Sequence, residues 1–263
     1  MGGRPAVIPP FYCMRANRII LLLTALTLAG NAMAQEREAA VGDGTVKGSL
    51  FPKTTPSRWC VGLYAGRDNN HHVIDMSYAS GMKYSDRTGM AAGLSGEYHL
   101  TGWFSLRAEL ALVQKNFRLD RDNIYFSFAY TEATNNYLSL PVEAVLSMGR
   151  TFRVCCFLGG YGGYWLSGHR EGQSLSVSYL VSGDEADTYF DEDYSFNEER
   201  DNRIDAGLTY GVGLRCTILR KIDLSAELHW YYGLTDIQKQ YMTNLNPRYN
   251  TTRVIRMGVA YWL

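Results

Sequence analysis

Hydrophobic and polar residues alternate along most of the chain from residue 59 onwards. In the segment 103–117, Leu106, Ala108 and Leu110 fall on one face of an extended backbone, whereas Arg107 and Glu109 fall on the other. A period of two residues is typical of β-strands whose two faces meet different surroundings. The pattern therefore predicts an all-β chain.

Eight segments show this alternation. They span residues 59–67, 89–100, 103–117, 136–148, 153–166, 203–216, 222–233 and 252–263. Most are 12–15 residues long, which exceeds the roughly five or six residues of an average strand. A tilted strand needs about 9–11 residues to cross a bilayer, so these segments are long enough to span one. In the fifth segment, the glycine-rich run 159–163 leaves the alternation ambiguous.

The connections between these segments are alternately long and short, with about 21, 2, 18, 4, 36, 5 and 18 residues in chain order. A soluble β-sandwich has the same period with its apolar face inward, but a Greek-key order gives no reason for alternating connection lengths. We therefore predict an eight-stranded antiparallel up-and-down transmembrane β-barrel over residues 59–263. Its short turns are expected in the periplasm and its long loops outside the cell.

The first 34 residues have the pattern of a secretory signal peptide. Two arginines precede an apolar run at 19–30, and the sequence Ala-Met-Ala at 32–34 predicts cleavage before Gln35. The apolar run is shorter than the ~20 residues of a transmembrane helix, and an uncleaved anchor is the alternative. Met14 is an alternative start of the chain. Residues 35–58 are polar and are expected in the periplasm, and the chain is expected in the cell outer membrane.

Charge and aromatic content refine this prediction. Lys and Arg together number 26, and so do Asp and Glu. The chain therefore lacks the basic excess of nucleic-acid-binding proteins.

Aromatic residues lie near the strand ends, where membrane barrels carry interfacial girdles. We expect Trp59, Trp103, Tyr261 and Trp262 in the periplasmic girdle, and Tyr161, Tyr164, Trp165, Trp230, Tyr231 and Tyr232 in the outer girdle.

Three short motifs carry a family resemblance: Tyr-Leu-Ser-Leu-Pro-Val-Glu at 137–143, Gly-Gly-Tyr-Gly-Gly at 159–163 and Tyr-Gly-Leu-Thr-Asp at 232–236. They resemble the "YLxIPL" strand, the glycine-rich fifth strand and the "YGLTDI" strand end of the PorT-like and OmpX-like group of small outer-membrane barrels in Gram-negative bacteria. The resemblance covers residues 59–263. It implies the fold and the compartment, and it carries no defined biochemical activity.

The faces predicted to point inward carry many charges. An eight-stranded barrel is just wide enough inside for side chains to fill it, so these charges are expected to form a packed network of ion pairs and hydrogen bonds. A proton or ion path is the alternative. The predicted network comprises Glu97, Arg107, Glu109, Glu143, Asp205, Arg215, Asp223, Glu227 and Arg256.

Evidence for catalysis in the sequence is weak. His99 and His229 fall on inward faces near acids, but no Ser or Cys has the spacing of a nucleophile motif. We therefore predict no catalytic residues, no cofactor and no metal site. A lipid-modifying enzyme of the outer membrane remains an alternative of a different class.

The long connection 167–202 is strongly acidic, with ten acids against two arginines. A solvated, mobile external loop is the simplest interpretation. The alternatives are divalent-cation binding, shared with lipopolysaccharide phosphates, and a site for a basic protein partner, although the spacing is not that of an EF-hand. The central acids of this loop are Asp184, Glu185, Asp187, Asp191, Glu192 and Asp193.

Four cysteines follow the signal peptide, namely Cys60, Cys155, Cys156 and Cys216. Adjacent Cys155 and Cys156 point to opposite faces of a strand, and parity places Cys156 on the face shared with Cys216. Reduced, small apolar side chains are the first interpretation, and a disulfide is the alternative.

These observations predict a non-enzymatic outer-membrane barrel with a surface-interaction, envelope-structural or secretion-accessory role exerted through its external loops. A narrow channel for ions or small solutes is the alternative. The expected partners are outer-membrane lipid, lipopolysaccharide and a protein at the external loops, and no nucleic acid.

Overall fold

A computed structural model describes residues 58–74, 82–121, 129–174, 189–218, 221–239 and 248–263. All of them belong to one compact unit, Leu50–Leu263. The predicted signal peptide, the polar segment up to residue 57 and the loop acids Asp184, Glu185 and Asp187 lie outside the described residues. No helix in the described ranges is long and apolar enough to cross a membrane.

The described chain consists of antiparallel β-strands. Their bounds are β1 (Trp59–Ile74), β2 (Met82–His99), β3 (Phe104–Gln114), β4 (Phe117–Arg121), β5 (Tyr130–Gly149), β6 (Phe152–Gln173), β7 (Tyr189–Asp193), β8 (Ile204–Ile218), β9 (Ile222–Gly233) and β10 (Arg248–Trp262).

Eight of these strands form a hydrogen-bonded ring in the order β1, β2, β3, β5, β6, β8, β9, β10. The ring closes because β10 pairs with β1, from Cys60 opposite Trp262 to Ile74 opposite Arg248. Each strand neighbours the next in sequence, so the predicted up-and-down barrel of eight strands is confirmed.

The two remaining strands extend the sheet at the end of the long loops. Strand β4 continues β3 after a break at Lys115 and Asn116, and it pairs with the same two neighbours, β2 and β5. Strand β7 pairs with the last residues of β6.

Several strands are longer than predicted at this same end. Strand β1 runs to Ile74 rather than 67, β2 begins at Met82 rather than 89, β5 begins at Tyr130 rather than 136, and β6 runs to Gln173 rather than 166. Both faces of a strand meet polar surroundings once it leaves the membrane. The alternation therefore fades while the backbone pairing continues.

The two surfaces of the barrel differ in the way a lipid environment requires. The outer surface is apolar, and Leu63, Leu94 and Leu214 each expose about three-fifths of their area. The inner surface is charged, and Arg107, Glu143 and Arg256 are buried there. A water-soluble protein has the opposite arrangement, with apolar residues inside and charged residues outside. In the segments with clear alternation, the residues predicted to face inward and outward do so.

The short turn between β5 and β6 depends on glycine. Gly149 has a φ of 118°, a conformation that side-chain-bearing residues rarely adopt. A Cβ at this position would lie 2.0 Å from the Phe152 carbonyl oxygen. The turn therefore favours glycine on both conformational and steric grounds.

The predicted aromatic girdles are wrong for four residues. Tyr161, Trp165, Tyr231 and Trp262 are buried, with at most 5% of their surface exposed. Position near a strand end determines only how high along the barrel axis a side chain lies. Whether it points into the barrel or out to the lipid depends on its place in the alternation, and these four residues fall on the inward face. Trp59, Tyr164 and Tyr261 are exposed on the outer surface, as a girdle requires.

Candidate functional site

Charged side chains from non-neighbouring strands meet in the centre of the barrel. Arg256 donates from Nη1 and Nη2 to the two carboxylate oxygens of Glu109, at 2.7 Å each. Its Nε donates to Glu227 at 3.0 Å. Arg107 donates to Glu227 at 3.0 Å and to Glu143 at 3.2 Å. Two guanidinium groups thus connect three carboxylates across the lumen.

Further residues attach to this centre. His229 is fully buried, with Nδ1 3.2 Å from Glu143 and Nε2 3.1 Å from Glu227. Arg215 Nη1 donates to Glu97 at 3.0 Å, and its Nη2 forms an ion pair with the same carboxylate at 2.8 Å. The Nε of Arg215 lies 3.7 Å from Glu227. The predicted residues of the middle of the barrel therefore form one connected cluster.

An ion pair lies on each side of this cluster. Towards the short turns, Arg153 pairs with Asp223, and its guanidinium lies 5.6 Å from the ring centre of Trp262. Towards the long loops, Lys115 pairs with Asp205, and Tyr161 donates to the same carboxylate at 3.2 Å. The structure thus places all nine predicted network residues inside the barrel, at three heights.

Sequence alternation did not single out Arg153 or Lys115. Arg153 begins the segment whose glycine run hides its parity, and Lys115 lies where β3 breaks before β4. A signal existed for both, because Arg153 shares parity with Phe157, and Lys115 shares parity with Arg107. Counting outward from an unambiguous inward residue would have found them.

The charged side chains at the centre of the barrel are in direct contact with one another. A cavity of about 30 Å³ lies beside Tyr64, Glu97, Arg107 and Arg215, which is room for one or two water molecules. Isolated buried charges are costly, and a dense set of paired, hydrogen-bonded charges is the arrangement that offsets this cost.

The two inward histidines are part of this packing. His99 lies 3.3 Å from Glu97, and its ring centre is 4.4 Å from that of Trp262. His229 is enclosed by carboxylates and by the Arg256 guanidinium, 2.9 Å away. In the described ranges, no group of three or more His, Cys, Asp or Glu residues is arranged to hold a metal ion.

The four cysteines in the described part of the chain, Cys60, Cys155, Cys156 and Cys216, are free. Cys155 is buried in the lumen, whereas Cys156 is exposed on the outer surface. In the β6–β8 register, Cys216 lies opposite Phe152 and Cys156 lies opposite Val212. Cys156 and Cys216 therefore share a face, as parity predicted, but they are four positions apart along the strands and too distant for a disulfide.

A structured segment, residues 194–201, lies at the long-loop end, and we call it the outer cap. The buried carboxylate of Asp201 accepts hydrogen bonds from the Tyr194 hydroxyl at 2.8 Å, the Asn197 amide at 2.9 Å and Arg200 Nε at 2.8 Å. The Lys239 amide donates to the Arg200 carbonyl at 2.9 Å. The cap is therefore held both by its own carboxylate and by the chain that follows β9.

Aromatic rings connect the outer cap to the barrel. Trp165 stacks between Tyr137 and Tyr194, with ring centres 5.8 and 5.1 Å apart. Arg170 covers Tyr194, its guanidinium 3.9 Å from the ring centre. Residues 167–173 belong to β6 and residues 189–193 to β7, so the prediction of a loop over 167–202 is wrong for these two stretches.

Strand β7 carries three of the central loop acids predicted from the sequence. Asp191, Glu192 and Asp193 are exposed. His169 on β6 lies 2.9 Å from Asp191 and 3.1 Å from Asp193. The long-loop end therefore presents an ordered acidic strand.

Two groups of this end have shifted pKa values. Burial raises the pKa of Asp201, but the hydrogen bonds from Arg200, the Asn197 amide and Tyr194 outweigh burial and hold this pKa below its ordinary value. The hydrogen bond to Asp193, together with the charges of Asp191, Asp193 and Glu171, raises the pKa of His169.

Comparison with known proteins identifies the family. A family model described as "Outer membrane protein beta-barrel domain" matches residues 33–239. The chain belongs to this family. It is therefore an integral outer-membrane protein of the Gram-negative type, as predicted. This family description is broader than the PorT-like and OmpX-like group that the motifs resemble, and it does not specify that group.

Solved structures of small outer-membrane barrels are similar in fold. The chain is 12% identical to the attachment invasion locus protein Ail of Yersinia pestis, covering 77% of this chain and 98% of Ail, with a TM-score of 0.37. OprG of Pseudomonas aeruginosa is also 12% identical, with 79% of this chain and 98% of OprG covered and a TM-score of 0.41. Neisserial surface protein A is 14% identical, with 79% of this chain and 98% of that protein covered and a TM-score of 0.40. No curated protein sequence matches the chain.

Proposed function

We propose that this chain is a non-enzymatic surface-interaction barrel, which binds a partner through its long-loop end while the lumen serves as a rigid support. The observation that carries the proposal is the length of the strands. Strands β5 and β6 have 20 and 22 residues, whereas about 9–11 are enough to cross the bilayer. Roughly half of each strand therefore stands outside the membrane.

The projecting part is built as an ordered surface. Arg87 connects β2 to the neighbouring extensions by ion pairs with Glu132 at 2.7 Å and Glu171 at 3.2 Å. Arg118 pairs with Glu132 at 2.8 Å. Rigid strands present binding residues at a lower entropic cost than flexible loops do, which supports a role in recognition.

The contacts across the lumen favour this proposal over a channel. The Arg256–Glu109 and Arg107–Glu227 contacts cross the interior at its centre. The cavity of about 30 Å³ beside these contacts is too small for a hydrated ion. Conduction would require the central cluster to separate.

The charge of the projecting surface favours a basic partner. Asp191, Glu192 and Asp193 follow one another along β7, and Tyr189 beside them is 61% exposed. Complementary charge accelerates association, and an exposed tyrosine supplies contact area.

Crosslinking on intact envelopes tests the proposal. Partners crosslinked to the wild-type chain are identified by mass spectrometry and compared with those of a variant carrying Asp191→Asn, Glu192→Gln and Asp193→Asn. These changes preserve side-chain size and the β6–β7 backbone pairing. Loss of one basic partner in the variant supports the proposal, whereas identical partner sets contradict it.

Planar-bilayer recording on the purified chain separates the channel alternative. The proposal expects no discrete conductance steps from the wild type. Conductance steps whose ion selectivity changes in the variant Glu109→Gln would instead assign the lumen to transport.

A lipid-turnover assay of the wild type and of His229→Ala tests the enzyme alternative. The proposal expects no lipid turnover by either protein.

A further inference from the structure

Two arginines interrupt the apolar outer surface of the barrel. Arg67 on β1 follows Val61 and Leu63 at the same parity, and it lies opposite Ile255 on one side and Met90 on the other. Ile255 and Met90 are 68% and 71% exposed, so Arg67 stands on the lipid-facing surface.

Arg253 is the neighbour of Arg67 on β10. It lies opposite Asn69, two positions from Arg67, and it is exposed between the buried residues Thr252 and Val254. Diagonal neighbours of this kind have Cα atoms about 7–8 Å apart. Two long arginine side chains at this spacing can reach a single anion between them.

Neither guanidinium is neutralised by the protein. Among the described residues, Arg67 and Arg253 form no ion pair, no side-chain hydrogen bond and no cation–π contact. The exposed acid Asp86 is already 2.5 Å from His71. Most other arginines of the described barrel are paired or stacked, so this pair is unusual.

The height of the two arginines is that of the membrane interface. Arg253 lies directly opposite Trp230 on β9, and Trp230 stacks on Tyr210 with ring centres 5.5 Å apart. Outward Trp and Tyr residues mark the headgroup level of a bilayer. A cation at this level costs little if it meets an anionic headgroup, whereas a cation deeper in the lipid costs several kcal/mol.

We propose that Arg67 and Arg253 form a binding site for the phosphate of an outer-leaflet glycolipid. The guanidinium fork matches phosphate geometry and forms paired, charge-assisted hydrogen bonds with it. Asn69, which lies opposite Arg253 and two residues after Arg67, supplies a neutral donor. The apolar surface below, with Ile255 and Met90, receives the acyl chains.

The position of the site near the long-loop end indicates which phosphate-bearing lipid it would bind. Outer-membrane barrels place their long loops outside the cell, so the aromatic pair Tyr210 and Trp230 and the two arginines lie at the outer leaflet. The phosphate-bearing lipid of that leaflet is lipopolysaccharide, through its lipid A. Phosphatidylglycerol carries the same type of charge and is the alternative source that the test distinguishes.

Native mass spectrometry of the full chain refolded in detergent tests this site. The probes are bis-phosphorylated lipid A, dephosphorylated lipid A with the same acyl chains, and phosphatidylglycerol. We expect the wild type to bind the phosphorylated lipid A at least about tenfold more tightly than either other lipid, as one good charge-assisted contact provides.

The variant Arg67→Gln with Arg253→Gln is expected to lose this preference. Arg150→Gln, which removes an exposed arginine at the short-turn end, is the matched control and is expected to retain it. A heat-modifiability gel verifies folding. If the double variant does not fold, the single variants carry the test, each expected to weaken binding of lipid A about three- to tenfold.

Two results would overturn the proposal. The first is an unchanged preference for phosphorylated lipid A in the folded Arg67 and Arg253 variants. The second is equal binding of phosphatidylglycerol and lipid A by the wild type, which would assign the site to phospholipid instead.

Discussion

Arg256 and Glu109 form a two-point ion pair across the lumen, with two nitrogen–oxygen distances of 2.7 Å. They lie on β10 and β3, which are separated in the ring by β1 and β2. The pair therefore connects parts of the barrel wall that backbone hydrogen bonds do not connect, and it makes the interior a structural element.

Removal of this pair is expected to destabilise the barrel. Arg256→Ala removes one of the two guanidinium groups that Glu109 and Glu227 share with Arg107. Because both carboxylates stay buried with less positive charge beside them, the free energy of unfolding should fall by about 3–5 kcal/mol. Urea unfolding in detergent, followed by tryptophan fluorescence, measures the change. Arg118→Ala, which breaks exposed pairs with Asp120 and Glu132, should cost less than about 1 kcal/mol. Equal losses would contradict the structural role of the lumen.

The lipid-facing surface should not tolerate charge at mid-strand. Leu110 lies opposite Leu94 on the outer surface, so Leu110→Arg is expected to cost about 2–4 kcal/mol. Ser225→Asn is the inward control, because Ser225 borders the cavity of about 30 Å³ and a larger polar side chain can enter it. A shift of the unfolding midpoint for the control alone would reverse the assignment of faces.

The outer cap should respond to acid through Asp201. Its folded pKa is depressed, so its contribution is fully present above the unfolded value of about 3.9 and is lost as pH falls through the folded pKa. Hydrogen exchange at the Asn197 amide, which donates to Asp201, should therefore accelerate relative to its intrinsic rate below about pH 4. Asp201→Asn should already exchange fast at neutral pH. Protection that persists in this variant would show that another contact holds the cap.

Labelling of intact cells tests the sidedness. Glu199 at the outer cap and Arg150 at a short turn are both exposed. A membrane-impermeant maleimide should label Glu199→Cys and leave Arg150→Cys unlabelled, with the unsubstituted chain as background for the native cysteines. The opposite result would invert the barrel in the membrane.

The sequence predicted the part of the fold that the membrane controls. Lipid on one side and a packed interior on the other enforce strict alternation, so Arg107, Glu143 and Asp205 could be assigned to the interior by parity. Outside the membrane this constraint ends. The continuation of β6 to Gln173 and the addition of β7 therefore left no periodic signal.

The pairing of charges was not predictable to the same degree. Parity places Arg107 and Glu227 inside, but their contact depends on the ring order and on the heights of strands 120 positions apart in sequence. The outer cap was not predictable from the sequence pattern, because the alternation ends before Tyr194 and Asp201 and assigns them no contact. Their roles follow from local hydrogen bonds that no periodicity encodes.

The pairing of β1 with β10 has a consequence for how the molecule is made. Strand β1 pairs with β2 along one edge, but its other edge is paired only when residues 248–262 arrive. The barrel therefore cannot close before nearly the entire chain has been synthesised and exported. Until then, strand edges and the apolar outer surface remain uncovered and prone to aggregation. The chain therefore depends on being kept unfolded during transit, and its biogenesis is a single late event rather than a strand-by-strand accumulation of stable structure.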